Sequence, residues 1–191
     1  MRFDEMTDTQ LLNCLNLGYS CDDYHQLIAQ RVREHAEKLG RDVDYIEIGT
    51  LTGNSAEAVL KTGKINRAVL VDNFSLPWGG EQQTKEKVEK RLQPFAEHFE
   101  VMEGDCRKIV PKITETFDIG FVDGDHEEQS CRIDMTNMLP LIKPDGIMFI
   151  HDVGNPSFTY LMPVVAAFAR DNNCSMILHN VSDGLAELTR K

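Results

Sequence analysis

The sequence predicts an α/β fold in which helices cover both faces of a mostly parallel sheet. Three observations carry this prediction. From about residue 44 onward, short apolar runs of strand length alternate with longer stretches of helical periodicity. The chain closes on two further apolar runs joined by Ser182-Asp183-Gly184, a hairpin signal that sets one antiparallel strand into the sheet. At 191 residues, with 41% hydrophobic and 27% charged residues, the composition is that of an ordinary globular domain with a sizeable core. One domain over residues 1–191 is expected, a helical cap (1–40) on a ligand-binding core (41–191).

Taken in order, Thr7-Asp8-Thr9 offers helix caps ahead of Leu11, Leu12, Leu15 and Leu17, and Gly18 to Asp23 forms a break. Tyr24, Leu27, Ile28, Val32 and Ala36, spaced by three and four, predict a longer helix that Gly40 ends. Strands are predicted at Asp44–Ile48, Arg67–Asp72, Phe99–Glu103, Phe117–Val122, Ile147–Ile150, Cys174–His179 and Leu185–Thr189. Between them, helices are predicted at Asn54–Thr62, Gln82–Phe99, Cys106–Ile113, Glu127–Leu141 and Tyr160–Arg170. Pro144-Asp145-Gly146 reads as a turn.

Lys and Arg number 20 against 31 Asp and Glu, a net charge of −11. Such a surface repels phosphate backbones and anionic membranes, so neither a nucleic-acid nor a membrane partner is expected. The five cysteines, Cys14, Cys21, Cys106, Cys131 and Cys174, are odd in number and form no C-x-x-C. That pattern excludes a disulfide framework or zinc knuckle and points to the reducing cytoplasm. The first ten residues carry no apolar signal-peptide region, and no apolar run reaches membrane-spanning length.

Open parallel sheets bind ligands beyond the carboxyl ends of their strands. After the first strand comes Glu47-Ile48-Gly49-Thr50-Leu51-Thr52-Gly53, then a helix opening on Asn54 and Ser55. Backbone N–H groups at such a strand–loop–helix junction suit a nucleotide-like ligand. Leu51 stands where a dinucleotide fingerprint needs a close backbone approach, so the loop suits an adenosine without a pyrophosphate. Asp72, with Asn73 beside it, ends the second strand 19 residues after Gly53, the spacing of an acid that meets ribose hydroxyls. Turn geometry alone also accounts for the glycines and for Asp72. Gly104-Asp105-Cys106 follows the third strand, where Asp105 can cap a helix, accept from an adenine amino group, or both. Asp123, Asp125 and His126 follow the fourth strand, and His151 and Asp152 end the fifth. So many ionisable groups on one rim of apolar strands mark a site of chemistry.

The runs E-I-G-T-L-T-G-N-S, V-L-V-D, G-D-C, F-V-D-G-D-H and L-P-L-I-K-P-D-G-I-M-F-I-H-D-V, in this order, resemble a class I S-adenosylmethionine-dependent methyltransferase. The V-D-G-D-H and H-D pair resembles the small O-methyltransferase branch that includes macrolide-sugar O-methyltransferases. The resemblance covers Tyr45 to about Val153. It implies a Rossmann-like three-layer α/β/α sandwich whose seven strands run in the order 3-2-1-4-5-7-6, strand 7 antiparallel. It implies S-adenosyl-L-methionine as cofactor, held by Glu47, Gly49, Thr50, Gly53, Asn54 and Ser55 at its methionine end. Asp72 and Asn73 are implied at the ribose, Asp105 and Cys106 near adenine, and Asp123 beside them. In metal-dependent relatives the positions matching Asp123 and Asp152 hold Mg2+, and the position matching His126 is the base. Here His151 replaces an acidic residue of the macrolide relatives, and Val153 an Asn of the catechol-type ones.

The function expected is methyl transfer to a hydroxyl of a small-molecule acceptor, with His126 and Asp123 catalytic; Asp123 and Asp152 are the candidate Mg2+ ligands, and a site with or without the metal stays open. Phe74 to Gly80, which holds the only Trp, is expected to be a mobile lid or a buried anchor. Two other functions stay open: a nicotinamide-dependent oxidoreductase and a non-catalytic cofactor-binding module. The sequence does not decide whether the chain forms a homo-oligomer.

Overall fold

A computed structural model of the chain describes residues 24–190. The caps and leucines expected at 7–23 lie outside the described residues. Helix α1 (Tyr24–Leu39) buries Ile28, Ala29, Val32 and Ala36, the stripe its spacing predicts. Gly40, at φ +66°, turns the chain out of it.

Seven strands follow: β1 (Val43–Ile48), β2 (Ile65–Asp72), β3 (Phe99–Glu103), β4 (Phe117–Val122), β5 (Ile142–His151), β6 (Cys174–His179) and β7 (Leu185–Arg190). Their order in the sheet is β3-β2-β1-β4-β5-β7-β6. Only β7 runs against its neighbours, pairing antiparallel with both β5 and β6. This is the order and the reversal the family resemblance implies. Every residue of β4, at the sheet's centre, is buried, which is why that strand shows no polar alternation in sequence. Side chains alternate across the sheet. Ile46 and Ile48 join the core on one face, with Met135, Val165 and Ile150. Tyr45, Phe121 and Phe149 join the core on the other, under Val32, Val59 and Val88.

The helices between strands are α2 (Asn54–Leu60), α3 (Lys85–Arg91), α4 (Cys106–Ile109), α5 (Glu128–Met138) and α6 (Leu161–Asp171). Among them α3, α4 and α5 are shorter than their sequence patterns predict, for one reason. Pro94, Pro111 and Pro140 each stand second in a three-residue 3-10 turn that takes over where α3, α4 and α5 stop. Proline has no N–H to continue the ladder and disfavours a helical residue before it. The single helix expected over Gln82–Phe99 is thus only α3 and a turn. Its start is used differently too, since Glu81–Gln82 pairs antiparallel with Pro77–Trp78 in a small hairpin.

The expected turn at Pro144-Asp145-Gly146 lies inside β5. Phe117 and Ile119 of β4 face Ile142 and Ile147, so the extra residues are absorbed as an irregularity in the pairing. Gly146 permits it, since a Cβ there would lie 2.6 Å from the Asp118 carbonyl oxygen.

Candidate active site

The loop after β1 is held by backbone contacts that demand glycine. Gly49 has φ +91°, and a Cβ on it would lie 1.9 Å from the Asp123 carbonyl oxygen. Asp123 in turn donates its backbone N–H to the Ile48 carbonyl at 2.9 Å. The glycine loop and the end of β4 are therefore pressed backbone to backbone. Gly53, at φ +79°, leads into α2, which opens on Asn54 and Ser55. Leu51 has φ +48°, unusual for a branched side chain. What holds it there is Asp72, whose Oδ2 accepts the Leu51 N–H at 2.6 Å. The other carboxylate oxygen accepts the Phe74 N–H at 2.6 Å. Asp72 thus links the ends of β1 and β2, and Asn73 accepts from the Ser75 N–H.

Glu47 is fully buried on the face it shares with Tyr45. Tyr45 and the Ser55 hydroxyl both donate to its Oε2 at 2.8 Å. Burial raises its pKa to about 7 even though the hydroxyls of Tyr45, Ser55 and Thr50 favour the charged form. Glu47 Oε1 and Thr50 Oγ1 are buried without a well-formed hydrogen bond among the described residues. Two buried acceptor oxygens in one loop fit a ligand that brings an ammonium group.

At the end of β3, Asp105 caps α4 by accepting the Arg107 N–H at 3.1 Å, and pairs with the Arg107 side chain at 3.0 Å. Cys106 is turned inward, its thiol donating to Asp134 Oδ1 at 3.2 Å. Burial pushes that thiol up to about 12, so it is neither a thiolate nor a nucleophile at neutral pH.

The ends of β4 and β5 bring four ionisable groups together. His126 Nε2 lies 2.5 Å from Asp152 Oδ2 and 3.7 Å from Asp123 Oδ1. His151 Nδ1 lies 3.2 Å from the same two oxygens. Its Nε2 lies 3.0 Å from the Ser182 carbonyl oxygen. Tyr24 of α1 stacks on His151 with ring centroids 3.9 Å apart, and its hydroxyl donates to Asp123 Oδ2 at 3.4 Å. His126 stacks on Phe158, centroids 4.7 Å apart and planes 5° from parallel. Asp152 reaches back over the rim from a left-handed backbone, φ +60°, and Asn155 donates to its Oδ1 at 2.7 Å. Asp125 is apart from this group, accepting from Ser130 and the Glu127 N–H at the start of α5.

The charges settle one another. The carboxylates of Asp123 and Asp152, accepting from the ring, raise His126 to about 9. His151 is raised to about 10, because the same two carboxylates outweigh its burial. Both acids are held below the usual carboxylate range by the two rings, against their own burial. At neutral pH the cluster holds two imidazolium cations and two carboxylates. The ordinary imidazole pKa that recommends His126 from sequence is not the one it has here.

Donor atoms of Asp123, His126 and Asp152 lie within 4.8 Å of one another, the geometry of a metal candidate. The chemistry does not fit Mg2+. That ion takes oxygen donors in a near-regular octahedron, whereas here two imidazoles stand against the two carboxylates. The expectation of Mg2+ at Asp123 and Asp152 meets this obstacle at His151, which the metal-site prediction leaves out. Its signal in sequence is its place at the end of β5, next to Asp152.

The comparisons with known proteins agree with this architecture. The family model described as a methyltransferase domain matches residues 46–153, more than half of the chain. The chain belongs to this methyltransferase family. The matched stretch begins in β1 and ends at Val153, so it contains Glu47, the glycine loop, Asp72, Asp105, Asp123, His126, His151 and Asp152. A search of curated proteins found no match. Among solved structures, the chain is similar to the SAH-bound methyltransferase PaMTH1 of Podospora anserina, at 16% identity, TM-score 0.64, covering 86% of this chain and 78% of that one. It is similar to the O-methyltransferase TomG of Streptomyces achromogenes, involved in tomaymycin synthesis and solved with SAM, at 18% identity and TM-score 0.64, covering 93% and 86%. It is also similar to an O-methyltransferase of Bacillus cereus solved with SAH, at 16% identity and TM-score 0.64, covering 98% and 93%. At such identities these likenesses show the fold.

Membership in the family decides for methyl transfer over the nicotinamide alternative. The lid expectation has a mixed outcome. Phe74 is buried, while Leu76 and Trp78 are 68% and 61% exposed, so the tryptophan is not an anchor. Among the described residues no helix is long and apolar enough to cross a membrane.

Proposed function

We propose that the chain is an S-adenosylmethionine-dependent O-methyltransferase acting on a hydroxyl of a small, non-nucleic-acid acceptor. The observation that carries this is the imidazole–carboxylate cluster at the ends of β4 and β5, pressed by Gly49 against the glycine loop after β1. S-adenosylmethionine supplies a methyl group on a sulfonium, already activated for in-line displacement. Glu47 Oε1 and Thr50 Oγ1, both buried, would meet its amino-acid end. Gly49, Gly53, Asn54 and Ser55 shape that loop. Asp72 and Asn73 stand where the ribose is expected. Asp72 keeps unused lone pairs on oxygens that already hold the loop. Asp105 and Cys106 stand at the adenine end, where Asp105 does the capping as well. The neighbouring structures solved with SAM or SAH support this cofactor.

The protein's own task is to align the acceptor and remove its proton. His126 is the base in this proposal. Asp152 and Asp123 face its Nε2 and keep a proton there, which leaves the lone pair on Nδ1 for the acceptor hydroxyl, the logic of an acid-oriented histidine. The acceptor gains a methyl group and loses a proton to His126. Only the neutral ring can accept that proton, so the working fraction grows up to about pH 9.

Incubation with methyl-labelled S-adenosylmethionine and panels of phenols, sugars and hydroxy acids, read by mass spectrometry, tests the function. Label on an acceptor oxygen is expected. Calorimetric binding of the cofactor with no transfer to any acceptor would favour the non-catalytic module.

A further inference from the structure

His151 has hydrogen-bond acceptors at both ring nitrogens. Nδ1 faces Asp123 Oδ1 and Asp152 Oδ2, each at 3.2 Å, and Nε2 faces the Ser182 carbonyl oxygen at 3.0 Å. A carbonyl oxygen and an ionised carboxylate only accept. Each ring nitrogen therefore carries a hydrogen, and the ring carries a positive charge. The surroundings suit that charge. His151 is 8% exposed, the electron-rich face of Tyr24 lies 3.9 Å away, and Phe121 closes the site at 6.4 Å. The Tyr24 hydroxyl of α1 donates to Asp123 and adds no charge.

We propose that His151 is a built-in cation that takes over the work of a divalent metal at this rim, so that the site is complete without one. Its ring bridges Asp123 and Asp152, cancels their mutual repulsion, and keeps Asp152 aimed at His126. A divalent ion bridging the same two carboxylates would meet an imidazolium already in its place. His151 acts through its neighbours and is a positioning residue. Its role in turnover rests on the methyl-transfer reading above; its charge and its exclusion of metal do not.

The tests use the full chain after chelator treatment, with no methyl donor or acceptor present, so their failure is distinct from failure of that reading. Calorimetry with Mg2+, Mn2+ and Zn2+ is expected to show no saturable site tighter than about millimolar in the wild type. His151→Asp, which supplies a third carboxylate, is expected to gain a single Mn2+ site at least about tenfold tighter. A single site of micromolar affinity in the wild type that Asp152→Asn abolishes would overturn the proposal. Imidazole nitrogen NMR of the wild type is the readout that survives if His151→Asp fails to fold. It should show both His151 nitrogens protonated at pH 7.5, and a neutral ring there would overturn the proposal. In His151→Gln the His126 titration should move to higher pH, because two carboxylates then share one cation. A merely structural His151 would leave that titration where it is.

Discussion

Strand β4 carries a buried carboxylate near its start and delivers another just past its end, and the two are treated in opposite ways. Asp118 is met by Arg41 at 2.7 and 2.9 Å, by Lys143 at 3.1 Å and by the Asp44 N–H at 2.8 Å. Its cations are a guanidinium and an ammonium. Asp123 is met instead by two histidines, which exchange protons, and by a tyrosine hydroxyl that burial and Asp123 keep protonated. Both acids are held below the usual carboxylate range by their partners, against their burial. A lowered carboxylate alone therefore does not mark a site. What separates the two ends is whether the partners can take up and release a proton, and only the carboxyl end has that property.

The sharpest way to break the comparison is to remove one partner at each end. His126→Ala should lower turnover by roughly 10²- to 10⁴-fold. The unfolding midpoint should move by only a few degrees, since the ring is a third exposed. Methyl-transfer kinetics beside a thermal melt read both; an unchanged turnover would remove His126 from the chemistry. Next in size is the pH profile. With His126 at about 9, turnover should rise about tenfold per pH unit from pH 7 and level off near 9. A plateau already reached at pH 7 would mean the base is another group.

At the other end, Asp118→Ala should cost about 2–3 kcal/mol of stability in denaturant unfolding. The loss is moderate because Lys143 keeps Asp44 at 2.9 Å and Arg41 is half-exposed. Turnover per folded molecule should be unchanged. The two ends also weaken at opposite extremes of pH. The Asp118 contribution is present above the usual carboxylate pKa and is lost as acid protonates it. The His126 contribution is present below about 6.5 and is lost as the pH rises through about 9. The stability difference between wild type and His126→Gln should therefore shrink from pH 6 to pH 10. Smallest is Gly53→Ala, about 1 kcal/mol from the left-handed backbone and a 3.3 Å approach to Val88.

The same division explains how much was legible beforehand. β3 and β4 begin and end where their sequence runs predict; β4 is buried along its whole length and is apolar but for Asp118, while β3 buries only Val101. The rim acids were legible because charges gather at the ends of apolar strands, though Asp105 and Asp125 serve there as helix-start acceptors. The length of α3 was not, since Pro94 and the pairing of Glu81–Gln82 with Pro77–Trp78 override a helical periodicity that continues past them. Pro144-Asp145-Gly146 misleads in the other direction, as turn residues absorbed by an irregular strand. At the site, the sequence shows which residues sit on the rim but not which nitrogen meets which oxygen. His126 therefore reads as an ordinary imidazole, and His151 only as a residue standing where the macrolide relatives have an acid. Tyr24 is further away still, 99 residues from the Asp123 it touches.

The approach of Gly49 to the Asp123 carbonyl has a practical consequence for redesign. Grafting a donor-binding loop from a relative onto this scaffold will succeed only if the graft keeps a bare α-carbon at that one spot. Any side chain there pushes the proton-handling groups and the methyl source apart together. Chimeras that alter acceptor choice are better cut elsewhere, at the Pro77–Gln82 hairpin, whose residues are exposed.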